Sequence, residues 1–290
     1  MIVSGFTIVR NAVKFDYPVV ESIRSVLPLV DEFIVLVGNS DDETRKCIEQ
    51  IGSEKLRIFD SVWDDSLREG GRVLAVETDK AQALIRKDAD WAIYIQADEL
   101  LHQDDYSNIR QAMEFALAKP EIEGLLFDYT HFYGDYRFVA DSRKWYRHEI
   151  RIIRPHVSIQ SWKDAQGFRK HGRKLRVISA QARVFHYGWV KPPEKQQAKQ
   201  QHFHKMWHDD TWMDKHIPKV EAFDYGQIDS VAFFAGTHPA VMQARVDAQH
   251  WKANIDPSLK KLSLKYRLLM GIERITGWRP GEYRNYKLQR

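Results

Sequence analysis

The adjacent carboxylates of Asp98 and Glu99 are the side chains that this sequence best equips to do chemistry. They follow residues 91–95, an apolar run of β-branched and aromatic residues, which predicts a buried strand with acidic groups just beyond its carboxyl end. Ligands of open α/β sheets bind at that end of the strands, and carboxylate oxygens suit Mg²⁺ or Mn²⁺. Position alone leaves a second interpretation open, in which one of the two acids only caps the next helix.

The composition excludes several classes of protein. Of the 290 residues, 43% are apolar, and the single cysteine, Cys47, excludes a disulfide framework and a cysteine zinc site. No apolar run reaches the length of a membrane span and the first strand is not a signal peptide, so we expect a cytoplasmic protein. Residues 255–290 contain nine Lys/Arg and three Asp/Glu, whereas the rest of the chain has a net charge of −2. A basic tail on a near-neutral body argues against nucleic-acid binding and for a tail that contacts an anionic partner.

Strands and helices alternate in the first part of the chain. The predicted strands are residues 2–9, 32–37, 56–59 and 91–95, and the predicted helices are residues 17–27, 41–52, 72–86 and 106–118. Ser40 and Glu43 have the spacing of a capping box for the second helix. This alternation predicts βαβ units and a parallel sheet.

Beyond residue 120 the pattern changes to strands, which predicts a mixed, more antiparallel half. The predicted strands are residues 124–133, 136–139, 149–154, 175–178 and 182–189. Gly134 and Asp135 are predicted to form a hairpin turn between the first two. The fold class is therefore α/β, with a nucleotide-binding type of sheet and a C-terminal helical extension.

Over about residues 1–250, this arrangement resembles the family 2 glycosyltransferases of the GT-A fold. The resemblance is carried by the acids at the tip of the fourth strand, in a branch where Gln96-Ala97-Asp98-Glu99 replaces the common D-x-D triplet, and by Gly70-Gly71-Arg72-Val73-Leu74-Ala75. It implies an inverting, metal-dependent transfer of sugar from a UDP-, GDP- or dTDP-sugar to a glycan or lipid-linked acceptor, as in the synthesis of surface polysaccharide or lipopolysaccharide. Residues 251–290 form a basic amphipathic extension beyond the resemblance.

The resemblance also implies which residues form the site. Asp98 corresponds to the last acid of the triplet, which holds Mn²⁺ or Mg²⁺, and His186 stands where related enzymes can complete the metal site. A histidine that only hydrogen-bonds at a strand end is the other interpretation of His186. The residues implied in nucleotide binding are Val9, Asn11, Asn39, Gly71, Gln96 and Asp98. Because Gln96 replaces the first acid, and Asn39 stands where the family has an acid, the nucleotide base stays open.

The general base is the least defined part of the predicted site. An inverting transfer needs a carboxylate that takes the proton of the acceptor hydroxyl. Asp164 lies in the part of the chain where the family has its base, although an aspartate there is also typical of a turn. Glu99 is the second catalytic candidate, beside the metal or in placing the acceptor. The remaining candidates are Asp128, Asp135 and Asp141.

Two further segments admit more than one interpretation. His204 and His208 have the i, i+4 spacing of helical metal ligands, but the surrounding polar residues favour a solvated helix over residues 193–208. Residues 257–276 predict an amphipathic helix, whose apolar face is Leu259, Leu262, Tyr266, Leu269 and Ile272. That face either packs on the domain, which we favour, or lies on an anionic membrane surface.

Two other functions remain open at this point. A nucleotidyltransferase has a related fold, but we expect it to carry a Gly-rich, basic phosphate loop after the first strand, where this chain has Arg10-Asn11-Ala12-Val13. A non-catalytic protein of the same fold that binds a nucleotide sugar or carbohydrate is compatible with the changed residues Gln96 and Asn39.

Overall fold

A 12-stranded sheet organises the chain in the computed structural model, which describes residues 1–67, 69–205, 207, 210–216 and 220–289. The strands are β1 Val3–Val9, β2 Glu32–Gly38, β3 Leu56–Ser61, β4 Trp91–Tyr94, β5 Glu99–Leu101, β6 Gly124–Ala140, β7 His148–Ile153, β8 Ile159–Trp162, β9 Gly167–Lys170, β10 Arg173–Val190, β11 Val231–Phe233 and β12 Tyr286–Leu288. The helices are α1 Val19–Val26, α2 Thr44–Glu49, α3 Arg72–Ala83, α4 Tyr106–Leu117, α5 Pro193–Lys205, α6 Asp210–His216, α7 Gln243–Asp247 and α8 Leu264–Thr276.

The first half of the sheet is parallel, with strand order β3-β2-β1-β4. Helices between successive strands make these connections crossovers, as a parallel sheet requires. Since parallel strands all point the same way, the residues that follow β1, β2 and β4 meet at one edge of the sheet.

The second half of the sheet is mixed. Strand β7 is antiparallel to both β4 and β6, whereas the long strands β6 and β10 run parallel to each other. The short strand β5 is antiparallel to β10, and its register places Glu99 opposite His186. The predicted fold class, an α/β sheet with a parallel first half and a mixed second half, is confirmed.

Two apolar layers bury the central strands on both faces. In β4, Trp91 and Ile93 belong to one core cluster, while Ala92 and Tyr94 belong to a cluster on the opposite face. All four residues are at most 1% exposed. Alternate side chains of a strand point to opposite faces, so a strand buried on both faces reads as the continuous apolar run that the sequence shows.

Several element boundaries differ from the prediction. In place of the hairpin at Gly134, a single strand runs from Gly124 to Ala140, and Gly134 continues the chain at φ +77°. The predicted capping box is wrong, because Ser40 accepts a hydrogen bond from the backbone N–H of Asn11 and helix α2 begins only at Thr44. The last predicted strands merge into β10, with irregular pairing at residues 179–183.

Residues near the end of the chain also belong to the sheet and its surface. Strand β12 pairs parallel with β10, in the register Leu175 to Tyr286. Helix α8 begins at Leu264, later than the sequence predicted, with Ser263 as its N-cap and Gly277 as its left-handed C-cap residue. Within the described residues, no helix is both long enough and apolar enough to cross a membrane.

Candidate functional site

Asp98 lies in the turn between β4 and β5, at the edge where the parallel strands end. The backbone N–H of Tyr187 donates to the carbonyl oxygen of Asp98 at 2.8 Å. This bond and the β5–β10 pairing hold the turn against β10, so Asp98 and His186 face each other although they are 88 residues apart in sequence. The sheet thus brings together the two residues that the resemblance implied for a metal.

A cleft of about 510 Å³ opens at this edge. Five of the predicted site residues line it, namely Val9, Gln96, Asp98, Asp164 and His186. Its other walls are largely aromatic, with Phe15, Tyr17, Trp63, Tyr94, Tyr146, Trp189 and Phe203. A cleft of this volume with an apolar wall and a few polar groups is typical of a small-molecule site.

Gly188 keeps the space between Asp98 and His186 open. His186 Nε2 lies 3.8 Å from Asp98 Oδ1, which is too far for a hydrogen bond. A Cβ atom at position 188 would lie 2.7 Å from Asp98 Oδ2 and 2.7 Å from His186 Nε2. Only glycine therefore leaves room for a ligand between the two side chains.

His131 determines which nitrogen of His186 carries a proton. His131 Nε2 lies 2.8 Å from the carbonyl oxygen of Tyr146, which can only accept, so this nitrogen is the protonated one. Burial lowers the pKa of His131 to about 3, so the ring is neutral and its Nδ1 accepts from Nδ1 of His186 at 3.0 Å. Burial also lowers the pKa of His186. Neutral His186 therefore presents an unprotonated Nε2 to the carboxylate of Asp98. The imidazole nitrogen and the carboxylate oxygen that face each other can both act as ligands of a cation.

Lys199 of α5 already supplies one positive charge to Asp98. Its Nζ lies 3.2 Å from Asp98 Oδ2 and donates to the carbonyl oxygen of Gly188 at 2.9 Å. Burial raises the pKa of Asp98, but the charge of Lys199 and of its other neighbours outweighs burial and lowers the value to about 2. Asp98 is therefore ionised at neutral pH. In the described part of the chain, no group of three or more His, Cys, Asp and Glu is arranged to hold a metal.

Asp164 lies on the wall of the same cleft, in the turn between β8 and β9. Burial raises its pKa above the ordinary aspartate value. A carboxylate with a raised pKa is a better proton acceptor than an exposed one. Gly71, at the start of α3 with φ +68°, packs against it, since a Cβ at position 71 would lie 2.9 Å from Asp164 Cβ.

Glu99 is buried away from the cleft, in an internal ion pair with Arg151. Arg151 Nε and Nη2 each donate to one carboxylate oxygen of Glu99 at 2.7 Å. The Tyr129 hydroxyl and the backbone N–H of Gln96 donate to the same carboxylate. Both Glu99 and Arg151 are 0% exposed. The carboxylate is fully used by these contacts, which fix the turn that carries Asp98.

Asn11 and Asn39 connect loops and do not line the cleft. Asn11 Oδ1 accepts from the backbone N–H of Asp41 at 2.9 Å, which joins the loops after β1 and β2. Asn39 Oδ1 accepts from the backbone N–H of Trp63 at 3.2 Å, which places the Trp63 ring on the wall of the cleft. Their contacts shape the cleft from behind.

Helix α5 lies over the cleft, although the sequence analysis favoured a solvated helix here and considered only its histidines as candidate ligands. The polar segment predicted to be a solvated helix instead covers the cleft with Lys199, Gln200, His202, Phe203 and His204. His208 lies outside the described residues. Little in the sequence indicates that α5 covers the cleft, because most residues of this helix are polar, as in a solvated helix.

A second cavity of about 600 Å³ meets the first at Tyr146 and Gln166, which line both. Helix α8 borders it with Lys265, Tyr266 and Leu269. Its cationic side chains are Arg143, Lys144, Arg147, Lys265 and Arg279. Glu273 and Glu282 neutralise part of that charge, since Arg147 pairs with both at 3.1 and 3.0 Å.

No protein-family profile matches the sequence, and no curated protein matches it either. Among solved structures, the chain is similar to glucosyl-3-phosphoglycerate synthase from Mycobacterium tuberculosis in complex with Mn²⁺, uridine diphosphate and phosphoglyceric acid. That match has 21% identity and a TM-score of 0.30, and it covers 46% of this chain and 43% of the other. The chain is also similar to S. aureus TarS, with 13% identity, a TM-score of 0.39, and coverage of 69% of this chain and 38% of the other. The match thus spans less than half the length of either solved protein.

Proposed function

We propose that this protein is an inverting glycosyltransferase that uses a nucleotide-sugar donor and a divalent cation. The observation that carries the proposal is the pair of facing, unprotonated ligand atoms, His186 Nε2 and Asp98 Oδ1, at the end of parallel strands. A carboxylate and an imidazole together suit Mn²⁺, and the carboxylate suits Mg²⁺. When bound there, the ion neutralises the charge that develops on the departing diphosphate.

The donor fits the aromatic part of the cleft. The rings of Trp63 and Phe15 line the side formed by the loops after β1 and β3, where a flat nucleotide base can stack. Gln96 supplies an amide that can hydrogen-bond a ribose hydroxyl in place of the usual acid. A thermal-shift screen of UDP-, GDP- and dTDP-sugars would identify the nucleotide base.

Asp164 is the proposed general base. In the displacement, the acceptor oxygen forms a bond to the anomeric carbon while the bond from that carbon to the diphosphate oxygen breaks. The hydroxyl proton passes to the Asp164 carboxylate, and the bonding electron pair leaves with the diphosphate. Glu99 is proposed to act through its backbone turn, as a positioning residue for Asp98.

The acceptor, a glycan or a lipid-linked sugar, is proposed to enter through the second cavity. That cavity reaches the cleft at Tyr146 and Gln166, and Gln166 is two residues from Asp164 in the sequence. Its cationic lining favours an acceptor that bears negative charge near the reacting hydroxyl.

The test is a thermal-shift screen of UDP-, GDP-, dTDP- and CDP-sugars, each with Mn²⁺, Mg²⁺ or EDTA, on the wild type and on Asp98→Asn. A ligand that binds only the folded state raises its melting temperature. We expect one nucleotide to give a metal-dependent shift that Asp98→Asn abolishes, and slow release of free sugar by mass spectrometry. A shift that persists in EDTA would show that donor binding does not require a metal, and would contradict the metal-binding role of Asp98 and His186. No shift with any donor would contradict the proposal, and pyrophosphate release from a nucleoside triphosphate would replace it with nucleotidyl transfer.

A further inference from the structure

Helix α8 presents a row of large apolar side chains to solvent. Leu264, Leu268 and Ile275 are 83%, 67% and 86% exposed. Their spacing of four and seven residues places them on one stripe of the helix, with Gly271 between them. Single exposed leucines are ordinary on a protein surface, but a contiguous exposed row is typical of an interaction site.

This stripe is not the face that packs on the protein. Tyr266, Leu269 and Ile272, three of the five residues that the sequence predicted as the apolar face, are half-buried. At 100° per residue, Tyr266 and Leu269 lie on the far side of the helix from the stripe, and Ile272 lies between the two. Glu273 fixes that orientation, because its carboxylate pairs with Arg143 at 2.5 Å and with Arg147 at 3.1 Å. The helix thus has two apolar faces, of which only the inner one packs against the rest of the protein.

Cationic residues flank the outer stripe. At 100° per residue, Arg267 and Arg274 lie on one side of the stripe and Lys265 lies on the other. In the described chain, none of these three side chains makes an ion pair, unlike Arg279, which pairs with Glu273. Trp278, just beyond the helix, is 62% exposed. An exposed apolar row with unpaired cations beside it and an aromatic at its end matches the chemistry of an anionic lipid surface.

We propose that α8 lies in the plane of an anionic bilayer surface, with Leu264, Leu268, Ile275 and Trp278 in the boundary between headgroups and acyl chains. Lys265, Arg267 and Arg274 would then contact lipid phosphates. A second copy of the chain fits this face less well. Four side chains offer on the order of a few hundred Å², whereas a stable protein interface buries about 800 Å² on each partner.

The flank of α8 that carries Lys265, between the outer stripe and the inner face, connects this surface to the cleft. Lys265 and Leu269 line the second cavity, which meets the cleft at Tyr146 and Gln166. A docked α8 would place the mouth of that cavity next to the bilayer. If the proposed transferase function holds, a lipid-linked acceptor is then the favoured substrate class, but the docking itself does not depend on that function.

The test is co-sedimentation of the full chain with vesicles of phosphatidylcholine alone or mixed with phosphatidylglycerol, without nucleotide or metal. We expect binding to the anionic vesicles only, weakened by salt. The variant Leu264→Ser/Leu268→Ser/Ile275→Ser should lose binding at least 10-fold. The variant Lys265→Gln/Arg267→Gln/Arg274→Gln should lose about 100-fold.

Val62 and Phe115, which are 76% and 56% exposed outside α8, provide the matched control. The variant Val62→Ser/Phe115→Ser should bind vesicles as the wild type does. Unchanged binding by either α8 variant would overturn the proposal, and so would equal binding to neutral vesicles. A dimer in light scattering that the serine variant dissociates, without vesicle binding by the wild type, would assign the face to a second copy instead. Because the assay contains no donor, its result is independent of the donor screen.

Discussion

Lys199 Nζ lies 3.2 Å from Oδ2 of Asp98, so helix α5 carries a positive charge to the carboxylate proposed to bind the metal. Both side chains are only 12% exposed, which makes the interaction stronger than a surface ion pair. A divalent cation at Asp98 must therefore compete with an ammonium group of the protein itself. If the proposed nucleotide-sugar donor binds, we expect the same ammonium group to contact its diphosphate oxygens.

Replacing Lys199 with methionine separates these two effects. We expect Lys199→Met to bind Mn²⁺ about 10-fold more tightly without nucleotide, since the competing charge is gone, and to bind the nucleotide sugar more weakly. Isothermal titration with Mn²⁺ and then with donor measures both affinities. Lys195→Met, one turn earlier on α5, is the control and should change neither. Weaker Mn²⁺ binding in Lys199→Met would contradict the competition.

Gly188 provides a steric test of the metal position. Gly188→Ala would place a methyl group 2.7 Å from both Asp98 Oδ2 and His186 Nε2, so we expect the metal-dependent thermal shift to disappear while the protein stays folded. Gly271→Ala is the matched control, because nothing lies within 4 Å of its new Cβ. That substitution in a helix should raise stability by about 0.5–1 kcal/mol. A full Mn²⁺ response in Gly188→Ala would place the metal elsewhere.

The sequence predicted the parts of the fold that depend on local patterns. The continuous apolar run that ends at Asp98 identified a strand buried on both faces, and its place in the strand order located the cleft. The predicted end of β6 was wrong because Gly134 followed by Asp135 is typical of a turn when only the local sequence is considered. In the fold it lets a single strand continue where a Cβ would lie 2.6 Å from Ala253, a contact 119 residues away in sequence.

The parts of the site that depend on distant contacts could not be read from sequence. His131 and Lys199 carry no local motif, and each gains its role only because β6 and α5 bring it to His186 and Asp98. The sequence analysis interpreted Glu99 as a catalytic candidate at a strand tip, yet Arg151, 52 residues later, forms a buried ion pair with it. Adjacent carboxylates thus have different environments, which residue type and spacing do not specify.

Asp164 should be needed for turnover but not for donor binding. We expect Asp164→Asn to lower the transfer rate by about 10²-fold or more, with the donor dissociation constant unchanged within about twofold. Because burial raises the pKa of Asp164, the wild-type rate should fall with decreasing pH at a higher pH than an exposed aspartate would give. A pH–rate profile by product mass spectrometry checks this. If Asp164→Asn is as active as the wild type, the general base must be another group.

Replacing only one member of the buried ion pair between Arg151 and Glu99 should lower the stability of the protein strongly. Arg151→Met leaves the Glu99 carboxylate buried without its partner, so we expect the free energy of unfolding to fall by about 3–5 kcal/mol. The double variant Arg151→Met/Glu99→Leu removes both charges and should recover part of that loss. Urea unfolding measures each value. Lys46→Met is the control, since both side chains of its pair with Glu43 are exposed, at 68% and 69%, and it should cost less than about 1 kcal/mol. A single and a double variant of equal stability would contradict the buried-charge argument.

Glu149 should make stability depend on pH between pH 4.5 and 8. It is 4% exposed, its Oε2 has no hydrogen-bond partner in the described chain, and burial raises its pKa from 4.5 to about 8. Between these values the native state keeps a proton that the unfolded state has lost, so the contribution of Glu149 to stability falls as pH rises.

Glu149→Gln keeps the neutral shape and removes this titration. The free energy of unfolding of the variant, relative to the wild type, should therefore rise by about 1.4 kcal/mol for each pH unit in that window and level off outside it. Urea titrations at several pH values measure the difference, which cancels the other titrating groups. Glu54→Gln, at an exposed position, should give a difference that does not vary with pH. A flat difference for Glu149→Gln as well would mean that its carboxylate is ionised in the native protein.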